Sequence, residues 1–145
     1  MLHAEDDPTM RTVSDFGARG DGQADDTQAL QRALDEGGGH LVLAPGTYLI
    51  HRPLQVDLRR TGRVGISGSD GCATLVMRGA GPALKLVGSH EGTASPQSLT
   101  TQVLQNERLP TVSGLEIVGE HPEAVGIHLE ALWQPTLSGV HVRDC

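Results

Sequence analysis

Two residues with acid–base side chains, Glu116 and His141, lie 25 positions apart in a sequence of 145 residues. They occupy equivalent places in two related segments, "TVSGLEIVGE" from 111 to 120 and "TLSGVHVRDC" from 136 to 145. A carboxylate beside an imidazole raises the pKa of the imidazole and orients its ring, which suits proton transfer. We favour a plainer interpretation, solvated stacking on a polar face, because nothing else reactive is evident around the pair. The catalytic residues are therefore unknown at this stage, with Glu116 and His141 as candidates.

A second group of candidates consists of Asp21, Asp25 and Asp26, whose carboxylates could supply oxygen ligands to Ca²⁺. The same residues stand before a helical segment, where turn and cap hydrogen bonds would use them equally well. We favour the capping interpretation and predict no metal site, with Ca²⁺ kept as a hypothesis. No cofactor-binding residues are evident, because the glycines at 17, 20 and 22 are not followed by the Lys-Ser/Thr of a phosphate loop.

Glycoside hydrolysis commonly needs two carboxyl groups about 5 to 9.5 Å apart, and elimination from a uronide needs a base and a cation that neutralises the sugar carboxylate. Glu116, Glu130 and Asp144 do not assemble into such a constellation from the sequence alone. Neither reaction can be assigned from these residues.

The composition excludes several classes of partner. Eleven Lys and Arg residues against 18 Asp and Glu give a net charge of -7, which disfavours nucleic acid. The first ten residues lack the apolar core of a secretory signal, and no apolar run has the ~18 residues that a membrane helix needs, so neither a signal peptide nor a membrane partner is predicted. Cys72 and Cys145 could be two thiols or one disulfide.

The elements that would position these candidates begin with a helix over residues 27–36. Apolar residues recur there on one face, Asp25 or Asp26 suits the N-cap, and the three glycines at 37–39 provide a left-handed stop. After Gly39 the apolar residues alternate with a period of two, in short runs separated by Gly, Pro, Ser and Asp. This change predicts an all-β body.

The repeat indicates how the strands are arranged. Ser113 aligns with Ser138, and the apolar positions around them follow in the same direction. An antiparallel sandwich would show the matching positions in mirror order, whereas a chain that coils and stacks parallel strands repeats them directly. We therefore predict a parallel β-helix with about three short strands per coil, and a loop leaving the stack at residues 89–110.

One helix before the first coil is expected to cover the apolar end of the stack. Residues 1–11 are interpreted as a flexible arm, and residues 12–145 as the N-terminal cap and first coils of a β-helix domain. The sequence ends in a strand pattern, so we expect either further coils beyond residue 145 or a second copy of the chain covering the open coil.

The passage "VSDFGARGDGQADDTQALQRAL…GGGHLVLAPGTYLI" resembles the N-terminal segment of the pectate lyase superfamily domain, found in polygalacturonase-, rhamnogalacturonase- and epimerase-like proteins and in tailspikes. The resemblance implies a right-handed parallel β-helix, an extracellular or periplasmic location, and an acidic, pectin-like polysaccharide as partner. It implies a lyase or glycoside hydrolase as one function and a non-catalytic structural or adhesive module as the alternative. A truncated, inactive relative is a third possibility.

Overall fold

The computed structural model describes residues 12–92 and 94–145, so the arm predicted for residues 1–11 lies outside the described residues. The described strands are β1 Asp21–Asp25, β2 His40–Val42, β3 Gly46–Ile50, β4 Leu54–Asp57, β5 Gly65–Ser67, β6 Ala73–Met77, β7 Gly81–Val87, β8 Thr111–Ser113, β9 Leu115–Gly119, β10 Ala124–Glu130, β11 Thr136–Ser138 and β12 His141–Arg143. The helical elements are α1 Thr27–Glu36, the single turn α2 Leu58–Thr61, 3₁₀ turns at Val13–Phe16 and Pro96–Ser98, and a π-turn at Val103–Glu107.

Three parallel sheets build the body of the protein. Their strand orders are β1-β3-β6-β9-β12, β11-β8-β5-β2 and β10-β7-β4. Each turn of the chain therefore adds one strand to each sheet in succession, as β2, β3 and β4 do in the first coil and β5, β6 and β7 do in the second. This arrangement is a parallel β-helix, and the predicted fold is confirmed.

The register between the last two coils follows the offset of 25 residues expected from the repeat. Thr111, Val112 and Ser113 of β8 lie opposite Thr136, Leu137 and Ser138 of β11. The core consists of inward-pointing columns, because alternate residues of a strand face opposite sides of its sheet. In the five-stranded sheet one such column contains Tyr48, Leu75 and Ile117, each 3% exposed or less.

Helix α1 packs its apolar side against the first coil, as predicted. Leu30 and Leu34 are fully buried in the common core with strand residues such as Leu41 and Leu54. The helix ends where the Gly39 amide donates to the Leu34 carbonyl at 2.9 Å, with Gly38 and Gly39 at positive φ angles of 65° and 86°. The helix therefore covers the apolar edge of the first coil.

Three features differ from the sequence-based expectation. Residues 21–25, interpreted as part of a turn, form strand β1, which pairs in parallel with β3. The helix α2 and the π-turn follow no periodic apolar pattern, because each is a single turn inside a connection. The segment 89–110 leaves the stack as predicted, but two of its residues, Val103 and Glu107, are buried.

Cys72 and Cys145 are both free, exposed thiols, which answers the question of a disulfide between them. Within residues 12–92 and 94–145, no helix is long and apolar enough to cross a membrane.

Candidate functional site

The outward side of the five-stranded sheet carries the candidate site, and we call it the polar face. Its first row runs across the strands and contains Asp21, Thr47, Thr74, Glu116 and His141, each in register with the next. Their neighbours in sequence point into the core, so the pleat presents this row to solvent.

Glu116 lies at the centre of a cluster that joins three strands. Its Oε2 is 3.3 Å from Nδ1 of His141 and 3.8 Å from Nε of Arg143, both on β12. Its Oε1 accepts a hydrogen bond of 3.3 Å from the hydroxyl of Thr74 on β6. The structure therefore brings the two sequence candidates together, and it adds a hydroxyl and a guanidinium to them.

Further ion pairs lie on the same face, at its edge. Arg78 Nε is 3.0 Å from Glu120 Oε1, and His51 Nδ1 is 3.2 Å from Asp25 Oδ1. About half of each of these side chains is exposed, so water screens the pairs and each contributes little to stability. Between the charged groups, Leu49, Val76 and Val118 form a small buried apolar cluster of their own.

The three aspartates near the helix bind backbone amides rather than one another. Asp21 accepts from the amides of residues 23 and 24, and Asp25 accepts from the amide and hydroxyl of Thr27. Asp26, only 1% exposed, accepts from the amides of Arg19 and Gly20, both at 2.9 Å.

Asp26 takes the N-cap position, but its carboxylate does not bond to the first turn of α1. The side chain that caps the helix is that of Asp25, while the carboxylate of Asp26 fixes the glycine loop before β1. The three carboxylates are directed to different amides, as the capping interpretation expects. No group of three or more His, Cys, Asp or Glu with metal-binding geometry occurs among the described residues.

Hydrogen bonds lower the pKa of two of these aspartates. The hydroxyl of Thr27, helped by its amide and by His51, holds the pKa of Asp25 below its ordinary value. The amides of Ala24 and Gln23 do the same for Asp21. Both side chains are therefore anionic at neutral pH, which adds to the negative charge at the β1 end of the polar face.

The cluster around Glu116 holds the groups that proton transfer next to a carboxylate requires. His141 is 68% exposed, and since its Nδ1 faces Glu116, its Nε2 is the atom left to accept a proton. Arg143, half exposed, can neutralise an anionic group with its guanidinium.

Sequence reasoning missed Thr74, Arg78, Glu120 and Arg143. Arg143 could have been found, because the repeat that aligns Glu116 with His141 also places Val118 opposite Arg143. Thr74 and Arg78 lie 42 positions before their partners Glu116 and Glu120, not 25, because the segment 89–110 lengthens that coil. The repeat therefore gave no indication of these two contacts.

The three parallel sheets, stacked coil on coil beneath a helical cap, define a parallel β-helix with a charged outer face. Residues 10–75 match the family described as rhamnogalacturonase A/epimerase, pectate lyase-like. Over these 66 residues, a little under half of the chain, the protein is similar to a pectate lyase-like β-helix superfamily domain.

Three characterised relatives show similarity over parts of the chain. A mannuronan C5-epimerase, AlgE6 of Azotobacter vinelandii, is 38% identical over 92 residues, which is 57% of this chain and 9% of the relative. Plasmin and fibronectin-binding protein A of Streptococcus pneumoniae is 42% identical over 55 residues, 34% of this chain and 8% of the relative. Alginate lyase 7 of Azotobacter vinelandii is 50% identical over 42 residues, 26% of this chain and 5% of the relative. The chain thus spans less than a tenth of each of them.

Among solved structures, the fold is similar to that of a candidate glycosyl hydrolase from Parabacteroides merdae, with a TM-score of 0.45 and 18% identity over 91% of this chain and 74% of the other. The surface adhesin PfbA of Streptococcus pneumoniae gives a TM-score of 0.40 and 16% identity, over 83% of this chain and 39% of the adhesin.

Proposed function

We propose that the polar face binds an acidic polysaccharide of the uronate type. The observation that carries the proposal is the Glu116 cluster, in which Arg143 and His141 stand side by side on the exposed end of the row. A guanidinium pairs with carboxylates through two parallel donors, and a polyuronate presents one carboxylate on each sugar. The names of two relatives, a mannuronan epimerase and an alginate lyase, support this class of ligand.

The layout of the face suits a polymer. Successive strands lie ~4.8 Å apart, and the exposed groups are arranged in rows that cross from coil to coil. A chain lying along these rows would meet Arg78 and Arg143 on different coils. Both guanidinium groups already contact carboxylates, since Arg78 pairs with Glu120 and Arg143 pairs with Asp144 at 3.0 Å as well as with Glu116. Binding must therefore displace these carboxylates. We therefore expect modest affinity that falls steeply as salt is added.

The same cluster supplies the groups for a reaction at the carbon next to the uronate carboxylate. His141 Nε2 would remove the proton from that carbon while Arg143 neutralises the carboxylate. In an elimination the electron pair left by the proton forms a double bond as the neighbouring glycosidic C–O bond breaks, and the leaving oxygen takes up a proton from water. In an epimerisation water delivers a proton to the opposite face of the ring, and the protonated His141 releases its own to solvent. Glu116 would act as a positioning residue by holding His141 through Nδ1.

Binding is tested by affinity electrophoresis in gels that contain alginate, polygalacturonate or neutral dextran. We expect retardation in the two polyuronate gels only, and its loss in the variant Arg143→Gln. Arg60→Gln is the matched control, because it removes the same charge from an exposed site on α2, away from the polar face. Retention of polyuronate binding in Arg143→Gln, or equal loss in Arg60→Gln, would refute the proposal.

A separate assay tests the reaction. Absorbance at 235 nm follows the double bond of an elimination, and exchange of the ring proton with D₂O follows an epimerisation. We expect His141→Gln to bind polyuronate like the original chain but to lose either activity. Binding without any turnover in the original chain would leave the binding proposal intact and exclude the reaction.

An adhesive module is the second candidate. It is favoured by the similarity to a protein named for plasmin and fibronectin binding. It is also favoured because cations of the polar face, such as Arg78, already form ion pairs within the protein. In that case the chain would bind a surface ligand and turn over no polysaccharide. Under either function we propose a location outside the cell, where both polysaccharide and host proteins are met.

A further inference from the structure

A pocket of about 390 Å³ lies away from the polar face, where the segment 89–110 meets the turn between β10 and β11. Its lining residues are His90, Gly92, Ala94, Leu132, Trp133 and Gln134. Trp133 is the only tryptophan in the sequence. The volume lies at the lower end of the range typical of small-molecule sites.

Buried hydrogen bonds hold the wall of this pocket that the segment 89–110 contributes. Glu107, 1% exposed, accepts from the amide of Ser89 at 2.7 Å and from its hydroxyl at 2.6 Å, which ties the start of the segment to its end. The amide of His90 donates to the carbonyl of Ala131 at 3.0 Å. The segment is therefore fastened to the turn that carries Trp133.

The imidazole of His90 fixes the position of the indole. His90 is 8% exposed, and its Nε2 lies 3.0 Å from the hydroxyl of Ser98. Its ring meets Trp133 edge to face, with centroids 5.0 Å apart and an angle of 68° between the planes. The indole is thus half-buried in a defined orientation, with part of its surface lining the pocket.

Gln134 places a polar group beside the indole at a cost in backbone conformation. Its φ angle is 56°, in the left-handed region that residues other than glycine rarely occupy. Such conformations are concentrated at binding sites, where the surrounding structure enforces them. The side chain is exposed, and its amide offers both donors and an acceptor to a ligand.

From this geometry we propose that the pocket binds a single uncharged pyranose ring, with the indole against the C–H side of the sugar and the Gln134 amide bonded to its hydroxyl groups. None of the six lining residues carries a permanent charge, and the charged residue next to His90 in the chain is the acidic Glu91. The lining therefore offers no cation to a uronate carboxylate; Arg108, opposite Trp133 in a β-bridge, is exposed and lies outside the lining. This site is distinct in place and in chemistry from the polar face and does not depend on its function.

Intrinsic fluorescence tests the proposal directly, because the signal of the only tryptophan comes from the pocket. Methyl α-glucopyranoside, methyl α-mannopyranoside and methyl α-galactopyranoside are titrated, together with methyl α-glucuronoside, which replaces the C6 hydroxymethyl group of the glucoside by a carboxylate. We expect a saturable change with at least one neutral sugar, with a dissociation constant on the order of 1 to 10 mM for such a small ligand in an open site. The glucuronoside should bind at least fivefold more weakly than the glucoside.

A pair of glycine variants provides the control. Gln134→Gly removes the amide and relieves the left-handed strain, so we expect about tenfold weaker sugar binding with no loss of thermal stability. Ala131→Gly relieves the same kind of strain, at a φ angle of 54°, without touching the lining, and should bind like the original chain. The proposal is overturned if no neutral sugar changes the emission up to 100 mM, if the glucuronoside binds as well, or if Gln134→Gly binds as tightly as Ala131→Gly.

Discussion

Replacing an inward-pointing leucine by alanine should cost very different amounts in the middle and at the last coil of the stack. Leu75 on β6 is 0% exposed, between Tyr48 and Ile117 of the neighbouring coils. Leu137 on β11 is also an inward position, opposite the buried Val112, but it is 48% exposed because its far side has no neighbouring coil among the described residues.

The magnitudes follow from the buried carbons. Leu→Ala removes three carbon groups worth about 0.8 kcal/mol each when fully buried, or ~2.4 kcal/mol, and the closed cavity adds to this cost. We therefore expect Leu75→Ala to lower the free energy of unfolding by about 3 to 4 kcal/mol. At Leu137 about half of the transfer term applies and no closed cavity forms, so about 1 kcal/mol is expected.

Urea unfolding followed by far-ultraviolet circular dichroism measures both values by linear extrapolation. The chemical change is the same in the two variants, so the difference of about 2 to 3 kcal/mol reports the covered position of Leu75 inside its sheet against the edge position of Leu137. Equal costs, or a larger cost at Leu137, would refute the assignment of Leu75 to the middle of one interior column and of Leu137 to the exposed end of another.

Three further predictions concern the cap and the coils. Asp25→Asn should remove part of the acid sensitivity of folding: the folded pKa of Asp25 lies below its ordinary value of about 3.8, so its contribution is present above that pH and lost as pH falls through the folded pKa, as acid titrations of both proteins would show. Gly79→Ala should cost about 1 to 3 kcal/mol in urea unfolding, because a Cβ there would collide with the backbone carbonyl of His51 on the preceding coil. Ca²⁺ should give no saturable rise in melting temperature, since the aspartates near α1 are directed to separate amides; a saturable rise would show that they bind the ion.

The sequence predicted the architecture because the repeat was explicit where nothing interrupts it. The offset between Ser113 and Ser138 fixed the register of two coils, and with it the contact between Glu116 and His141. The helix was predictable as well, since its apolar face and its glycine stop are both local features of residues 27–39.

The remainder depended on contacts that a local pattern does not contain. Asp25 or Asp26 was expected to cap the helix, and Asp25 does so. The carboxylate of Asp26 instead accepts from the amides of Arg19 and Gly20, which the loop brings close to it. β1 was missed because a strand of polar residues beside glycines has no alternating apolar pattern. Its parallel pairing with β3 holds it in the extended conformation instead. Chain folding, rather than residue type, decides such positions.

The most direct test of the central claim, parallel stacking of coils in register, is a disulfide cross-linking experiment. In a background with Cys72 and Cys145 replaced by serine, the pair Ser113→Cys and Ser138→Cys is compared with the pair Ser113→Cys and Thr136→Cys. Parallel pairing places residues 113 and 138 opposite each other, about 4.8 Å apart, within the range of a disulfide. An antiparallel hairpin centred on the same residues would instead place 113 opposite 136. Parallel stacking predicts rapid oxidation of the first pair and little of the second; the reverse result would contradict the fold, and with it the site built around Glu116 and His141.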